Sequence, residues 1–383
     1  MTKLVSLELD YTIKVSSRIN NYLSPDYVFF PLDKGSQLLV KDKEAVLKGK
    51  CLLKKSNSTI FSTVSGRIAG VKKIVCDGEV KHYLVVENDY KEKSRAKSTK
   101  KSLKIKNKEA LLVLLNEFGI TIDFLEKDVL LLNAIDNEPY IVNNSMYLNK
   151  NINNVLETLD VLKSILGYKN VYILLKNTET EVLNKVNDLL GTYPDFKIVM
   201  VPNCYLIERK GFYKNYLDVS LDNIFEISMS DFYNVSEIIE KNKPLTEKYI
   251  TISGDGVKNP LVINAKIGSL LKNIVEEEID LVKPLNELNC YYNGLMKGKI
   301  TSLDSIVVDD SFDGIIISQK KECEEDQCIN CGLCMKHCPL NISPIENLLN
   351  KEDINCLNCG LCSYVCPSGI NFKKITKKVD ANE

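Results

Sequence analysis

The chain has 383 residues, 44% of them hydrophobic, enough for two or three domains with sizeable cores. Its 50 Lys and Arg oppose 51 Asp and Glu for a net charge of −1, which removes the global electrostatic case for a nucleic-acid partner. No apolar run nears ~20 residues, so no membrane span is expected. Met1-Thr2-Lys3-Leu4 lacks the apolar core of a secretion signal, and a cytoplasmic protein is expected.

Residues 27–87 read as all-β. Val28, Phe30 and Leu32 alternate, Leu38 to Val40 is apolar, and turns carry Asp33, Gly35, Asp42, Gly49 and Gly78. With Ser62 to Val71, a strand interrupted by a glycine turn, this region resembles a barrel-sandwich hybrid, assigned to residues 1–90. Carriers of that fold modify a lysine at a hairpin tip. Lys54, Lys55, Lys72 and Lys73 are available, but a structural barrel is the simpler reading. Asn88 to Lys108 then carries nine Lys/Arg against two acids. Its polar composition builds no core, so 91–108 reads as a basic linker; the alternative is a dock for an acidic redox partner or an anionic membrane surface.

Residues 109–245 alternate helix and strand. Glu109 to Phe118, Asn151 to Leu166 and Thr178 to Leu190 have helical spacing; Val129 to Asn133, Val171 to Leu175 and Lys197 to Val201 are apolar runs of strand length. The pattern predicts a Rossmann-like α/β domain, yet no G-x-G-x-x-G accompanies the first strand–helix turn. Residues 246–320 return to α+β: strands at Tyr249 to Ser253 and Leu261 to Ile267, a helix at Ser269 to Glu277, and strand-like pieces at Ser305 to Val308 and Gly314 to Ser318.

Of 13 cysteines, eight fall between Cys328 and Cys366. They form two copies of C-x2-C-x2-C-x3-C-P: Cys328, Cys331, Cys334, Cys338-Pro339, and Cys356, Cys359, Cys362, Cys366-Pro367. This is the bacterial two-cluster ferredoxin pattern. Three closely spaced cysteines wrap one cubane and the fourth crosses to the other. Cys328, Cys331, Cys334 and Cys366 therefore hold one [4Fe–4S] cluster, and Cys356, Cys359, Cys362 and Cys338 the second. Gly332 and Gly360 let the loops bend and turn amides toward sulfur. Zinc ribbons also use C-x2-C, but in pairs separated by a longer loop. Residues 321–383 thus form a dicluster ferredoxin-like domain that moves single electrons. A reducing cytoplasm and an anaerobic source follow from the oxygen sensitivity of such clusters. A short helix is expected between the sets, within Leu340 to Asn355. The remaining cysteines, Cys51, Cys76, Cys204, Cys290 and Cys323, read as thiols without a role.

The order of these parts resembles the RnfC family, and also the electron-transfer protein that accompanies D-proline reductase in clostridia. More distantly, the middle is similar to the NADH-binding flavoprotein subunit of complex I. Local matches are Val64-Ser65-Gly66, Asn133 to Tyr140 (N-A-x-[DE]-x-E-P-Y), Pro244 to Gly254 (P-L-x-x-R-x-V-T-V-x-G) and Gly294 to Gly298 (G-P-M-M-G). The resemblance implies that 246–320 is a β-grasp, SLBB-like module. It also implies an FMN and NADH site whose G-x-G-G-x-G-F-P loop precedes Asn133. Here that stretch runs Leu112 to Ile120 with one glycine. FMN and NADH are therefore not expected. Asn133, Asp136 and Glu138 remain as a vestigial FMN site, or as a strand-end turn with capping carboxylates.

The leading expectation is a multidomain α/β and α+β iron–sulfur protein. It relays electrons to a partner reductase or membrane complex, without being a stand-alone enzyme, and has no transmembrane segment; peripheral attachment to the membrane face is a further option. The alternatives are an NADH:acceptor oxidoreductase component using FMN and a non-catalytic redox-sensing or assembly protein.

Overall fold

The computed structural model describes residues 14–55, 58–76, 79–94, 105–319, 327–345 and 356–372. The chain begins with β1 (Ile19–Tyr22) and β2 (Tyr27–Pro31). Short strands β3 (Gln37–Leu38), β4 (Ala45–Val46), β5 (Cys51–Lys54) and β6 (Thr59–Phe61) follow. The long hairpin β7 (Gly66–Cys76) and β8 (Glu79–Asn88) completes this region. Two sheets result, ordered β2-β8-β7-β4 and β3-β5-β6. Alternation decides what each face does. Val28, Phe30, Leu84 and Val86 enter a shared core with Val46, Leu52, Leu53 and Val64. Phe29, Tyr83 and Val85 point the other way and pack on Val307. Gly66 ends the Val64-Ser65-Gly66 stretch because a Cβ there would lie 1.8 Å from the Glu87 carbonyl oxygen.

The middle of the chain runs α1 (Lys108–Glu117), β9 (Val129–Asn133), α2 (Asn143–Leu166), β10 (Asn170–Lys176) and α3 (Thr180–Leu190). It continues through β11 (Phe196–Val201), α4 (Lys210–Tyr213), β12 (Ile224–Ser228) and α5 (Met229–Lys241). The four strands are parallel, ordered β11-β10-β9-β12. The central strands β9 and β10 are largely apolar because both faces are covered. Leu130, Leu132, Val171, Ile173 and Leu175 meet residues of α1, α2, α3 and α5. Val129, Leu131, Tyr172 and Leu174 meet Tyr205, Leu206, Ile207, Phe212 and Tyr213. Strand order reverses at β9, so the ligand crevice of a doubly wound sheet falls at the carboxyl ends of β9 and β12.

Helix α2 starts at Asn143, ahead of the Asn151 start that the 3.6-residue spacing suggested, and Asn151 is instead a kink. Asn151 has φ −119°, and its Nδ2 donates to the Tyr147 carbonyl at 3.0 Å. The polar first turn Asn143-Asn144-Ser145 hides the true N-terminus.

A six-stranded mixed sheet follows, built from β13 (Glu247–Ser253), β14 (Leu261–Lys266), β15 (Asn289–Tyr292), β16 (Lys299–Ile300) and β17 (Gly314–Ser318) together with β1, and with α6 (Leu271–Glu278) beside it. Its order is β1-β14-β13-β17-β15-β16. The N-terminal strand β1 thus belongs to this sheet, pairing in parallel with β14 from Ile19 opposite Val262. Tyr22 explains the attachment: it is buried with Ile250, Ile263 and Leu271, and its hydroxyl donates to Glu277 Oε1 at 3.0 Å. Residues expected as a strand at Ser305 to Val308 form the end of a 3-10 turn, Leu303–Ser305, and an isolated bridge from Val307 to Leu270. Two one-turn helices, Leu333–Lys336 and Leu361–Tyr364, carry the cysteine region. Most of the helix expected in Leu340 to Asn355, most of the basic segment 91–108 and Cys323 lie outside the described residues.

Candidate functional site

Both cysteine loops are built alike. Asn330 (φ +54°) and Asn358 (φ +50°) turn the backbone left-handed, as do Gly332 (φ +71°) and Gly360 (φ +79°). Those turns aim the Asn330 amide at Cys328 Sγ, 3.3 Å away, and the Asn358 amide at Cys356 Sγ, 3.4 Å away. Amides directed at ligand sulfur are what a cluster needs to carry its negative charge. A helical turn then presents Cys334 or Cys362, and the chain leaves through Cys338 or Cys366. Burial pushes the Cys334 thiol up, and Cys331 and Cys366 act on it in the same direction. Burial likewise pushes Cys362 up to about 12, with Cys359, Cys356 and Cys338 acting on it in turn. Each fourth cysteine thus acts electrostatically on the third cysteine of the other set. Among the described residues no three His, Cys, Asp or Glu side chains are gathered tightly as ligands of one metal ion. The all-sulfur donor set, in two C-x2-C-x2-C-x3-C-P repeats, fits two iron–sulfur clusters.

The two loops differ in surroundings. Cys328 and Cys331 are exposed, and beside them Ile329 and Met335 are 66% and 49% exposed. In the second loop Cys359 and Leu361 are buried, packed with Met296 and Tyr205 in the core under the α/β sheet. Tyr205 Oη donates to the Cys359 carbonyl at 2.7 Å. Arg209 Nη1 donates to the Leu357 carbonyl at 3.0 Å. Sequence reasoning did not single out Tyr205 or Arg209. Their signal is positional: they follow β11, at the carboxyl edge where α/β sheets place ligand loops.

Asn133, Asp136 and Glu138 converge on the same edge, each held by protein. Asn133 Nδ2 donates to the Glu208 carbonyl (2.8 Å) and Glu226 Oε1 (2.7 Å). Asp136 accepts from the amides of Asn144 (2.8 Å) and Ser145 (3.3 Å), closing the N-terminus of α2. Glu138 accepts from the amides of Met296 (2.8 Å) and Lys297 (3.0 Å). The Gly294 to Gly298 turn is pressed against it so closely that a Cβ on Gly294 would lie 2.4 Å from Glu138 Oε2. Upstream, the segment aligned with the family's glycine loop is helix α1, with Leu111 and Leu115 in the core. The single glycine, Gly119, is packed so that a Cβ would meet the Thr59 nitrogen at 2.5 Å. These residues do not form a cradle for a flavin phosphate, which needs free amides and close backbone approach.

The edge also holds unusual acids. Burial raises Asp136 to about 6, against the lowering effect of the Asn144 amide and Lys176. Burial, then the charge of Asp136, raises Glu179 to about 8. Glu179 Oε2 is buried without a hydrogen-bond partner.

Residues 118–210 match the family model of the Nuo51 FMN-binding domain, and 320–367 match that of the 4Fe-4S dicluster domain. The first match begins at Phe118, immediately after α1. One component of the proton-translocating ferredoxin:NAD(+) oxidoreductase complex of Clostridium ljungdahlii is 22% identical, over 86% of this chain and 80% of its own. Its counterpart in the ion-translocating oxidoreductase complex of Buchnera aphidicola is 26% identical, over 56% of this chain and 48% of its own. The corresponding Yersinia pestis protein is 23% identical, over 84% of this chain and 57% of its own. The chain thus spans about half the length of the latter two. Fold and cysteines define an iron–sulfur protein of mixed α/β architecture with a dicluster domain for two [4Fe–4S] clusters. Within that class the chain is RnfC-like.

Proposed function

We propose that the chain is an iron–sulfur electron-transfer component that relays single electrons to a partner reductase or membrane complex. The observation that carries this reading is the pair of all-cysteine loops with amides aimed at ligand sulfur, one loop exposed and one mounted on the α/β sheet. Cys328, Cys331, Cys334 and Cys366 hold an outer cluster; Cys356, Cys359, Cys362 and Cys338 hold an inner one. When bound, the clusters supply one-electron exchange and no bond chemistry. The chain's residues fix their spacing, shield the inner one with Leu361 and Met296, and expose the outer one. A redox protein docks on the outer loop, where Ile329 and Met335 offer apolar contact beside exposed ligands. The relatives are named as parts of ion-translocating complexes, and no described helix is long and apolar enough to cross a membrane. This supports a peripheral place on the cytoplasmic face of such a complex.

The division that goes with this reading is a barrel-sandwich hybrid near 1–90, a basic linker 91–108, a Rossmann-like domain 109–245, a β-grasp, SLBB-like module 246–320 and the dicluster domain 321–383. The β1 pairing ties the first part to the fourth.

The match to an FMN-binding domain favours one second reading, an NADH-oxidising flavoprotein. One experiment separates the two: an anaerobic NADH titration of cluster-loaded protein, with and without FMN, following the visible iron–sulfur absorbance. The relay predicts bleaching by dithionite or reduced ferredoxin and none by NADH. FMN-dependent bleaching by NADH establishes the flavoprotein. Stoichiometric zinc without acid-labile sulfide sinks both.

A further inference from the structure

We propose that Arg209 holds the reduction potential of the inner cluster above that of the outer one, so that a single electron entering the pair rests on the inner cluster. The inference depends on the relay reading and deepens it. Arg209 reaches from the loop after β11 to the carbonyl of Leu357, the residue after the ligand Cys356. Tyr205 anchors the carbonyl of the ligand Cys359 from the same loop. The Cys356 to Cys359 stretch is thereby fixed against a cation, whereas Cys328 and Cys331 face solvent.

Two effects compete at the inner site. Reduction adds one negative charge to a cluster already negative. Burial disfavours that added charge and lowers the potential; a fixed cation favours it and raises the potential. Burial here is one-sided, since Cys356 and Cys362 stay partly exposed. The guanidinium is hydrogen-bonded to the ligand loop itself, where the effective dielectric is well below that of water. Its counter-charge is already shared: Glu208 Oε1 lies 3.8 Å from Arg209 Nε but 3.2 Å from Lys297 Nζ. The cation effect is therefore the larger. Arg209 acts as a positioning residue and touches no reacting atom.

The test is a potentiometric titration followed by electron paramagnetic resonance, on protein first shown to carry eight irons. A Cys356→Ser variant marks the inner signal. In Arg209→Gln the inner-to-outer sharing of the first electron should fall at least tenfold, equivalent to about 59 mV for a one-electron couple, with the outer midpoint unmoved. Arg209→Lys should keep most of the wild-type separation. Glu208→Gln should move the inner midpoint the other way, upward, which a merely structural role would not do. Tyr205→Phe keeps the charge and should shift the inner midpoint less than Arg209→Gln. Midpoints unchanged or moved equally in an eight-iron Arg209→Gln protein would overturn the proposal. Should that variant lose iron, a downward shift in Glu208→Gln overturns it instead. Wild-type protein without eight irons would overturn the relay reading itself.

Discussion

Glu138 and Glu179 are both acids at the carboxyl edge of the sheet, and their partners make them opposites. Glu138 is bound by two backbone amides of the 294–298 turn, which stabilise its charge. Gly294 sits at φ +117° directly on that carboxylate. Gly294→Ala brings both an unfavourable backbone conformation and a Cβ inside contact distance, so it should cost at least ~2 kcal/mol in urea unfolding. Glu179 is the reverse case. With burial and Asp136 raising it to about 8 from an ordinary value of 4.5, the native state binds a proton that the unfolded state has released. Its contribution is complete below about pH 4.5 and is lost as pH rises through about 8. Glu179→Gln should therefore flatten the alkaline loss, gaining roughly 3–4 kcal/mol over wild type at pH 8.5 relative to pH 5. Parallel pH–stability curves for the two proteins would show that the group is solvated.

At the scale of elements, legibility in the sequence depended on how local the determinants were. Strands β9 and β17 begin and end where their apolar runs do, because burial on both faces leaves no polar interruption. The cysteine loops were readable because ligand spacing is fixed by covalent chemistry. What could not be read depends on distant partners. Strand β1 is defined by β14, more than two hundred residues away. Strand β12 and helix α5 have no glycine or proline punctuation before them. Tyr205 and Arg209 matter only because the second cysteine loop comes to rest beside them. The missing glycine loop was visible in sequence, and so was the helix in its place, from the spacing of Glu109 to Phe118. Helix α1 fills that place with Leu111 and Leu115, 0% and 1% exposed. Leu115→Ala should therefore cost about 2–5 kcal/mol. Wild-type protein should retain no FMN in equilibrium dialysis. Stoichiometric FMN would show that α1 moves aside to form a cradle.

At the scale of the molecule, the N-terminal sheets and the six-stranded sheet are joined by charge as well as by the apolar contact of Phe29, Tyr83 and Val85 with Val307. Lys48, after β4, bonds Glu92 at 2.7 Å and Glu247 of β13 at 3.4 Å. Lys266 of β14, 1% exposed, bonds Glu247 at 2.9 Å and Glu92 at 3.7 Å. Four residues thus tie the N-terminal sheets to the six-stranded sheet. Burial opposes the charge on Glu247, but Lys266 and then Lys48 outweigh it and hold the group down to about 2. A depressed carboxylate contributes stability above its unfolded value near 4.5, and that contribution is lost as pH falls toward 2. Glu247→Gln should remove this acid-limb loss while destabilising the protein at pH 7, because it strands the buried Lys266. Cutting one partner from a buried pair costs about 3–5 kcal/mol, and Glu92, still within reach, places the expected loss at about 3 kcal/mol. Replacing both groups, Glu247→Gln with Lys266→Met, should restore much of that loss, since no buried charge is then left unpaired. The double-mutant cycle in urea at pH 7 reads the coupling directly. A cycle that closes with no coupling would mean that β1, not this charge network, holds the N-terminal sheets in place.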